Sequence, residues 1–434
     1  MKSDSCANAL KKIPAELLYD SEIFAYACED YTWSIYRTAN GITELAAVCK
    51  RWRAVLLDAP LLWSKIDMNM RFRKPEIEQL VDLHLQRSQE APIQANLSFS
   101  SDEPWSYRVL HSFLAQARRL RVLAIHDHSI SNPRYIQTLL SFRNGFPMLR
   151  RLGIHYHRLT RVKDAEIDSF FDKLPVLKDL TLNLYSNRML LSATRVFRQL
   201  DRCELAECWL RDILLVLPYF NVQTHLKLSS CRRRRDDIHP TGIVTSVSEL
   251  WVTECTYTFT DLLLENIITP NLQHLKLSSH SHPRHFLAVE HLLQRSSCCL
   301  THLTVAAELF PPKDAVSDFG ANILYLLGSS MCTSITDLDV DVGSHGDALE
   351  SLLAKLGDNS EYIPRLHTLT LRSAWSVPMK LLEATILKAH CQRKGRWMRL
   401  VVNNLSILSK QMDNIQNLKD NGLKISTISR SSTC

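Results

Sequence analysis

Apolar residues recur along most of this chain in the spacing Leu-x-x-Leu-x-Leu. Clear copies are Leu120-Leu123-Ile125, Leu149-Leu152-Ile154, Leu177-Leu180-Leu182, Leu272-Leu275-Leu277, Leu300-Leu303-Val305, Ile335-Leu338-Val340 and Leu366-Leu369-Leu371. Weaker copies fill the gaps at Leu200-Cys203-Leu205, Leu226-Leu228, Val247-Leu250-Val252 and Trp397-Leu400-Val402, and Leu97-Phe99 reads as a degenerate first one. The last two apolar positions of each copy alternate with polar ones, as a strand with one buried face requires. Between copies, helical periodicity predicts returns at Asp168 to Leu174, Tyr257 to Ile267, His285 to Gln294, Ala321 to Leu327, Ala348 to Leu356 and Met379 to His390. The end of the chain reads as a capping helix over Gln411 to Leu423 and a short strand over Lys424 to Ile428.

One such unit cannot bury its apolar face alone, whereas stacked units share a continuous core. Most copies fit a period of about 20 to 29 residues, that of leucine-rich repeats, with insertions late in the array. A doubly wound parallel α/β sheet would also alternate strand and helix. Only 11 glycines and a recurring motif argue against it. Cys208, Cys231 and Cys255 each stand three positions after the last apolar residue of a strand. In leucine-rich repeats that slot favours Asn or Cys, so these thiols are expected to form an inner column where the chain turns.

Ahead of the array the pattern changes. Leu45, Val48, Cys49, Trp52, Val55 and Leu56 fall on one helical face, and Lys50, Arg51 and Arg53 lie away from its centre. Pro60 ends that helix, and Leu61, Leu62 and Trp63 add a second apolar anchor. Upstream, Ile13-Pro14-Ala15-Glu16-Leu17-Leu18 starts another helix, with Pro near its first turn and an early acid suited to the helix dipole.

Together, Ile13-Pro14, Glu16-Leu17-Leu18, Ile23-Phe24, Val48-Cys49-Lys50-Arg51-Trp52-Arg53 and Leu62-Trp63 resemble the F-box over roughly residues 12 to 66. Two segments, Tyr19 to Glu22 and Tyr31 to Gly41, are longer than the pattern has them. The whole chain is similar to the expanded family of F-box and leucine-rich-repeat proteins of mushroom-forming fungi. That resemblance implies an α/β fold class, with a small all-helical F-box module followed by a leucine-rich-repeat solenoid. Its organisation would be an N-terminal tail over 1–11, the F-box-like module over 12–68 and a linker helix over 69–92. The solenoid over 93–408 and a C-terminal cap and tail over 409–434 would follow.

The resemblance further implies a substrate-recognition subunit of an SCF-type ubiquitin ligase. Pro14, Leu17, Leu18, Val48, Cys49 and Trp52 would contact a Skp-type adaptor, through it a cullin–RING ligase, and the repeats would hold a protein substrate. Trp63 is expected instead at the junction with the first repeat. The rival reading is an interaction scaffold whose F-box-like helices only cap the solenoid. Neither makes the chain an enzyme, and neither calls for a cofactor or metal.

Composition narrows the setting. With 45% hydrophobic and 22% charged residues, the chain is that of a folded protein. No apolar run has the length of a signal peptide or membrane span, so the expectation is an intracellular protein, cytoplasmic or nuclear. Twelve cysteines are then reduced thiols, and the sequons at Asn96 and Asn404 go unused. Of the net charge of +7, Arg232-Arg233-Arg234-Arg235 makes a local run followed by Asp236-Asp237. It reads as a solvated loop, a contact for an acidic or phosphorylated partner, or a nuclear import signal. One local run is not a nucleic-acid stripe, and no nucleic-acid partner is expected.

Phosphate-binding, metalloprotease, nucleophile-elbow and Cys-x-x-Cys motifs do not occur. Cys298-Cys299 could be a thioester-forming pair, but no basic neighbour in sequence suggests activation. The pairs His126/His128, His155/His157 and His280/His282 could bring imidazoles together for zinc, though without an acidic or thiol ligand in register. The residues expected on the concave, substrate-binding side are His126, His155, Asn183, Glu204, Lys227, Trp251, Lys276, Asp339, Asp341 and Arg372. Their mixed signs suit a protein better than a phosphate backbone. Trp251 has the character of a hot spot.

Overall fold

The structure is a computed structural model of the chain. It describes residues 50–69, 76–99, 103–128, 134–156, 164–184, 190, 193–234, 240–278, 283–306, 319–341, 352, 354–355, 363–372, 399–403 and 424–427. These residues fall into two compact units, one up to Gln199 and one from Leu200 onward. Each is an α/β arrangement of short parallel strands alternating with helices, consistent with leucine-rich repeats.

In the first unit, β1 (Lys65–Asn69), β2 (Ile93–Phe99), β3 (Leu120–Asp127), β4 (Arg151–Tyr156) and β5 (Asp179–Leu184) pair in chain order, all parallel. The register follows the apolar alternation: Ile66 and Met68 align with Ala95 and Leu97, then with Leu123 and Ile125, Leu152 and Ile154, and Leu180 and Leu182. All are buried. A slip of one residue would turn every one of them to solvent, so the register is kept across these apolar positions. The first strand lies ahead of the degenerate copy at Leu97-Phe99. Ile66 and Met68 carry the alternation there without the leading leucine that marks the motif.

Helices return over one face of this sheet. Helix Glu76–Arg87 lies between β1 and β2. Pro104–Ala115 begins with proline in its first turn and buries Val109, Leu110, Phe113 and Leu114. Arg134–Leu140 adds Tyr135, whose ring lies between those of Phe99 and Tyr107, at centroid distances of 4.0 and 4.5 Å. Its hydroxyl shares a 2.5 Å hydrogen bond with Ser106. Arg119 ties adjacent turns, since Nη2 donates to Ser88 Oγ at 2.7 Å and to the Ala91 carbonyl at 3.0 Å.

Helix Lys50–Leu57 and the short helix Pro60–Trp63 lead into β1. Trp63 is buried, and its Nε1 donates to the Leu56 carbonyl at 2.8 Å. The Arg87 guanidinium lies 4.5 Å from the Trp63 ring centroid, and His84 meets its edge at 5.0 Å. Trp63 therefore clamps the two short helices to helix Glu76–Arg87.

In the second unit the strands are β6 (Arg202–Ala206), β7 (His225–Ser229), β8 (Ile243–Val244), β9 (Glu249–Thr253), β10 (Ile267–Ile268) and β11 (His274–Ser278). They continue with β12 (His302–Ala306), β13 (Asp337–Asp341), β14 (Thr368–Arg372), β15 (Arg399–Asn403) and β16 (Lys424–Thr427). The main sheet runs β6-β7-β9-β11-β12-β13-β14-β15-β16, all parallel, and β8 pairs with β10 in a separate short ladder on the return side. Returns form at Leu210–Val216, Tyr257–Asn266, Pro283–Ser296 and Phe319–Leu327, three of them close to their expected places. The expected helices over Met379 to His390 and Gln411 to Leu423 lie outside the described residues, as does most of Ala348 to Leu356.

The cysteine column is present. After β6, β7 and β9 the chain turns through Glu207, Ser230 and Glu254 at φ of 57°, 51° and 56°, a left-handed conformation that costs a residue bearing Cβ. Their amides repay part of that cost by donating to Ser229, Thr253 and Ser278 carbonyls of the following rung, at 2.9, 3.0 and 2.8 Å. Each turn then drops Cys208, Cys231 or Cys255 into the core. The Cys231 thiol donates to the Leu205 carbonyl at 3.4 Å, and the Cys231 amide donates to Cys255 Sγ at 3.3 Å. Replacing Cys231 with alanine removes both a bond and buried volume, so the unfolding free energy from urea titration should fall by about 1 to 3 kcal/mol, with a lower midpoint. An unchanged midpoint would contradict a structural role for the column.

Candidate functional site

Inward residues are spent on the core, so any chemistry open to a partner lies on the outward face of each sheet, at its edges or on the N-terminal helices. In the first unit the outward row Ser98, His126, His155 and Asn183 is in register across β2 to β5. The sequence-picked members therefore do come together. His126 and His155 stack at 4.0 Å with an interplanar angle of 10°, and His128 lies 6.4 Å from His126. Their neighbours are small: a Cβ on Gly153 would come within 3.2 Å of Ala124 Cβ and 3.5 Å of His155 Nε2. Only the approach to Ala124 is tighter than ordinary contact.

Burial pulls His126 down to about 4, with the neighbouring His155 and His128 adding to the shift. It is therefore neutral near pH 7. Among the described residues, no group of three or more His, Cys, Asp or Glu is arranged to hold a metal ion. His157, His280 and His282 lie outside the described residues.

In the second unit one outward row reads Glu204, Lys227, Trp251, Lys276, Thr304 and Asp339 in register. Five of these were marked from sequence. Lys227 Nζ pairs with Glu204 at 2.7 Å, and Lys276 Nζ sits 4.4 Å from the Trp251 ring centroid. His225 meets the same ring edge-on at 4.3 Å. Trp251 is half-buried under these neighbours. Asp341 and Arg372 are paired in register in the next row.

The row on the other side was missed. His225, Glu249, His274, His302 and Asp337 align across five strands. Glu249 lies 3.6 Å from His225 and 3.9 Å from His274, and Asp337 lies 3.1 Å from His302. Burial lowers His225 and His274, while Glu249 opposes the shift in both. The signal was present in the recurring His-Leu-x-Leu/Val at positions 225, 274 and 302.

Of the adaptor-contact residues, Pro14, Leu17, Leu18, Val48 and Cys49 lie outside the described residues, as does the side chain of Trp52 on helix Lys50–Leu57. In the arginine run, Arg232, Arg233 and Arg234 are exposed, and the Arg234 guanidinium lies 4.6 Å from the Trp209 ring centroid. Burial pushes the Cys298 thiol up to about 11, which leaves it protonated and a weak nucleophile at neutral pH. Cys299 is exposed. No described helix is long and apolar enough to cross a membrane. The chain matches no protein-family model, and no curated protein matches it significantly.

The imidazole stack carries a pH dependence. The folded state holds His126 near 4 against an ordinary 6.5, so the unfolded chain takes up the proton first as pH falls. Stability from this site is fully present above pH 6.5 and is lost as pH drops toward 4. Urea midpoints at neutral pH and near pH 4 should therefore differ less for His126→Gln than for the parent. An equal acid loss in both would remove the stack from the account.

Proposed function

We propose that the chain is the substrate-recognition subunit of an SCF-type cullin–RING ubiquitin ligase. Its N-terminal helices dock on a Skp-type adaptor, and its repeats present a protein substrate. The observation that carries this reading is apolar surface on the helices bearing the F-box-like residues. Leu57 is 37% exposed and Leu61 66% exposed, while Leu62 and Trp63 are buried. These short helices spend one face on their own fold and keep leucines for another molecule.

In this reading the chain performs no chemistry. Rate enhancement comes from holding a substrate near a charged conjugating enzyme. The outward rows of the second unit suit selective protein recognition, with Trp251 flanked by lysine and histidine and with carboxylates nearby. One observation favours a second reading, in which the chain is a scaffold without an adaptor. The clamp of Trp63 against Leu56, His84 and Arg87 lies beside the edge strand β1, where a cap is required.

Size-exclusion chromatography of the purified chain with a Skp-type adaptor separates the two. The adaptor reading expects co-elution that is lost with Trp52→Ala and with Leu61→Asp. Because Leu61 is exposed, its variant should keep the parent's circular dichroism and melting temperature. Absence of a complex, or a complex indifferent to both substitutions, would leave the scaffold reading.

A further inference from the structure

In the first unit, basic residues gather where the strands begin. The Arg150 amide donates to the Arg121 carbonyl at 2.9 Å, and the Lys178 amide to the Arg150 carbonyl at 2.8 Å. Arg121, Arg150 and Lys178 thus stand in a column at the rung spacing of roughly 5 Å. Arg121 occupies the point where the β2–β3 register shifts between Ile93 and Gln94. The bulge leaves it exposed, without a partner residue on β2.

The turns before β3 and β4 border a groove of about 610 Å³, lined by Arg118, Arg119, Asn144, Gly145 and Pro147, with Glu90 from the turn before β2. Arg143, next to Asn144 in the chain, is exposed beside it.

Like charges on neighbouring rungs repel, and the aspartates of this edge are already engaged, while Glu90 stands exposed at the groove's rim. Asp179 pairs with Arg151 at 2.9 Å, and Asp172 pairs with Arg195 at 3.3 Å. The Lys178 and Lys173 ammonium groups donate to the Gln199 and Phe142 carbonyls. The Arg119 guanidinium is spent on Ser88, Ala91 and Gln116. Arg118, Arg121, Arg143 and Arg150 are exposed and carry no ion pair among the described residues.

We propose that this edge binds an acidic segment of a protein partner, whose carboxylate or phosphate groups lie on Arg118, Arg121, Arg143 and Arg150. Unpaired guanidinium forks suit such groups, two oxygens at a time. A single-stranded nucleic acid fits less well, since no aromatic side chain lines the groove to stack a base. Pro147 and Ala117 instead offer small apolar walls to peptide side chains. The edge is distinct from the outward sheet rows, and the proposal stands whether or not the chain docks on an adaptor.

Fluorescence anisotropy on the full chain tests it with three labelled probes of equal charge: an Asp/Glu peptide, a phosphoserine peptide and oligothymidylate. At low salt at least one peptide should bind more tightly than the oligonucleotide, and the peptide that binds names the recognised group. Added salt should weaken it. Arg121→Gln with Arg150→Gln should weaken peptide binding about tenfold, as loss of charge-assisted bonds implies, with melting unchanged. Arg118→Gln should weaken it on its own, whereas Arg232→Gln with Arg233→Gln in the second unit should not. Absence of peptide binding, tighter binding of the oligonucleotide, or affinity indifferent to the Arg121, Arg150 and Arg118 substitutions would each overturn the proposal.

Discussion

A five-residue strand with two inward apolar side chains has too little to bury and too many backbone groups to satisfy. In each unit both needs are met by the same contact, the parallel neighbour one rung away, which receives the strand's hydrogen bonds and extends its apolar row. The register has to be strict for this to work, because a slip of one residue inverts every side chain. The turn after each strand must also deliver the chain to the return side without orphaning amides. In three successive rungs that is done with a left-handed residue and a buried cysteine. The strain accepted at Glu207, Ser230 and Glu254 is thus a consequence of the pairing, offset by amide bonds to the next rung.

How much of this was legible depends on whether a residue's role repeats. Strands such as β4, β5, β11 and β12 could be read directly, because Leu at the inward slots is a periodic signal. The cysteine column was legible for the same reason. β1 was not, since Ile66 and Met68 make a single alternation that gains its meaning only from pairing with Ala95 and Leu97. Among the returns, Tyr257–Asn266 ends within a residue of expectation, but Asp164–Phe171 begins four residues before Asp168. Pro104–Ala115 and Leu210–Val216 were passed over, because their apolar faces follow no repeat.

The outward face was legible one strand at a time but not across strands. Glu204, Lys227, Trp251 and Lys276 were each marked by position, and the pairing of Lys227 with Glu204 and the cation over Trp251 depend on which strands adjoin. The missed row needed a comparison of the residue before each inward leucine, where His225, His274 and His302 recur around Glu249. Charge followed the same rule. Spread along the sequence, Arg121, Arg150 and Lys178 are separated by whole repeats, and stacking sets them side by side.

This stacking gives the two units different surfaces. In the second, a cation tends to meet an anion or a ring: Lys227 has Glu204, Lys276 has Trp251, and Glu249 stands between two imidazoles. Such rows neutralise much of their own charge. Along the basic edge of the first unit, guanidinium groups stand on neighbouring rungs while Asp179 and Asp172 serve other cations. Each of those arginines is well solvated, so the repulsion costs folding little. It remains available to a binding event, because an anion laid along the column gains from several charges at once and gives up no internal ion pair in doing so.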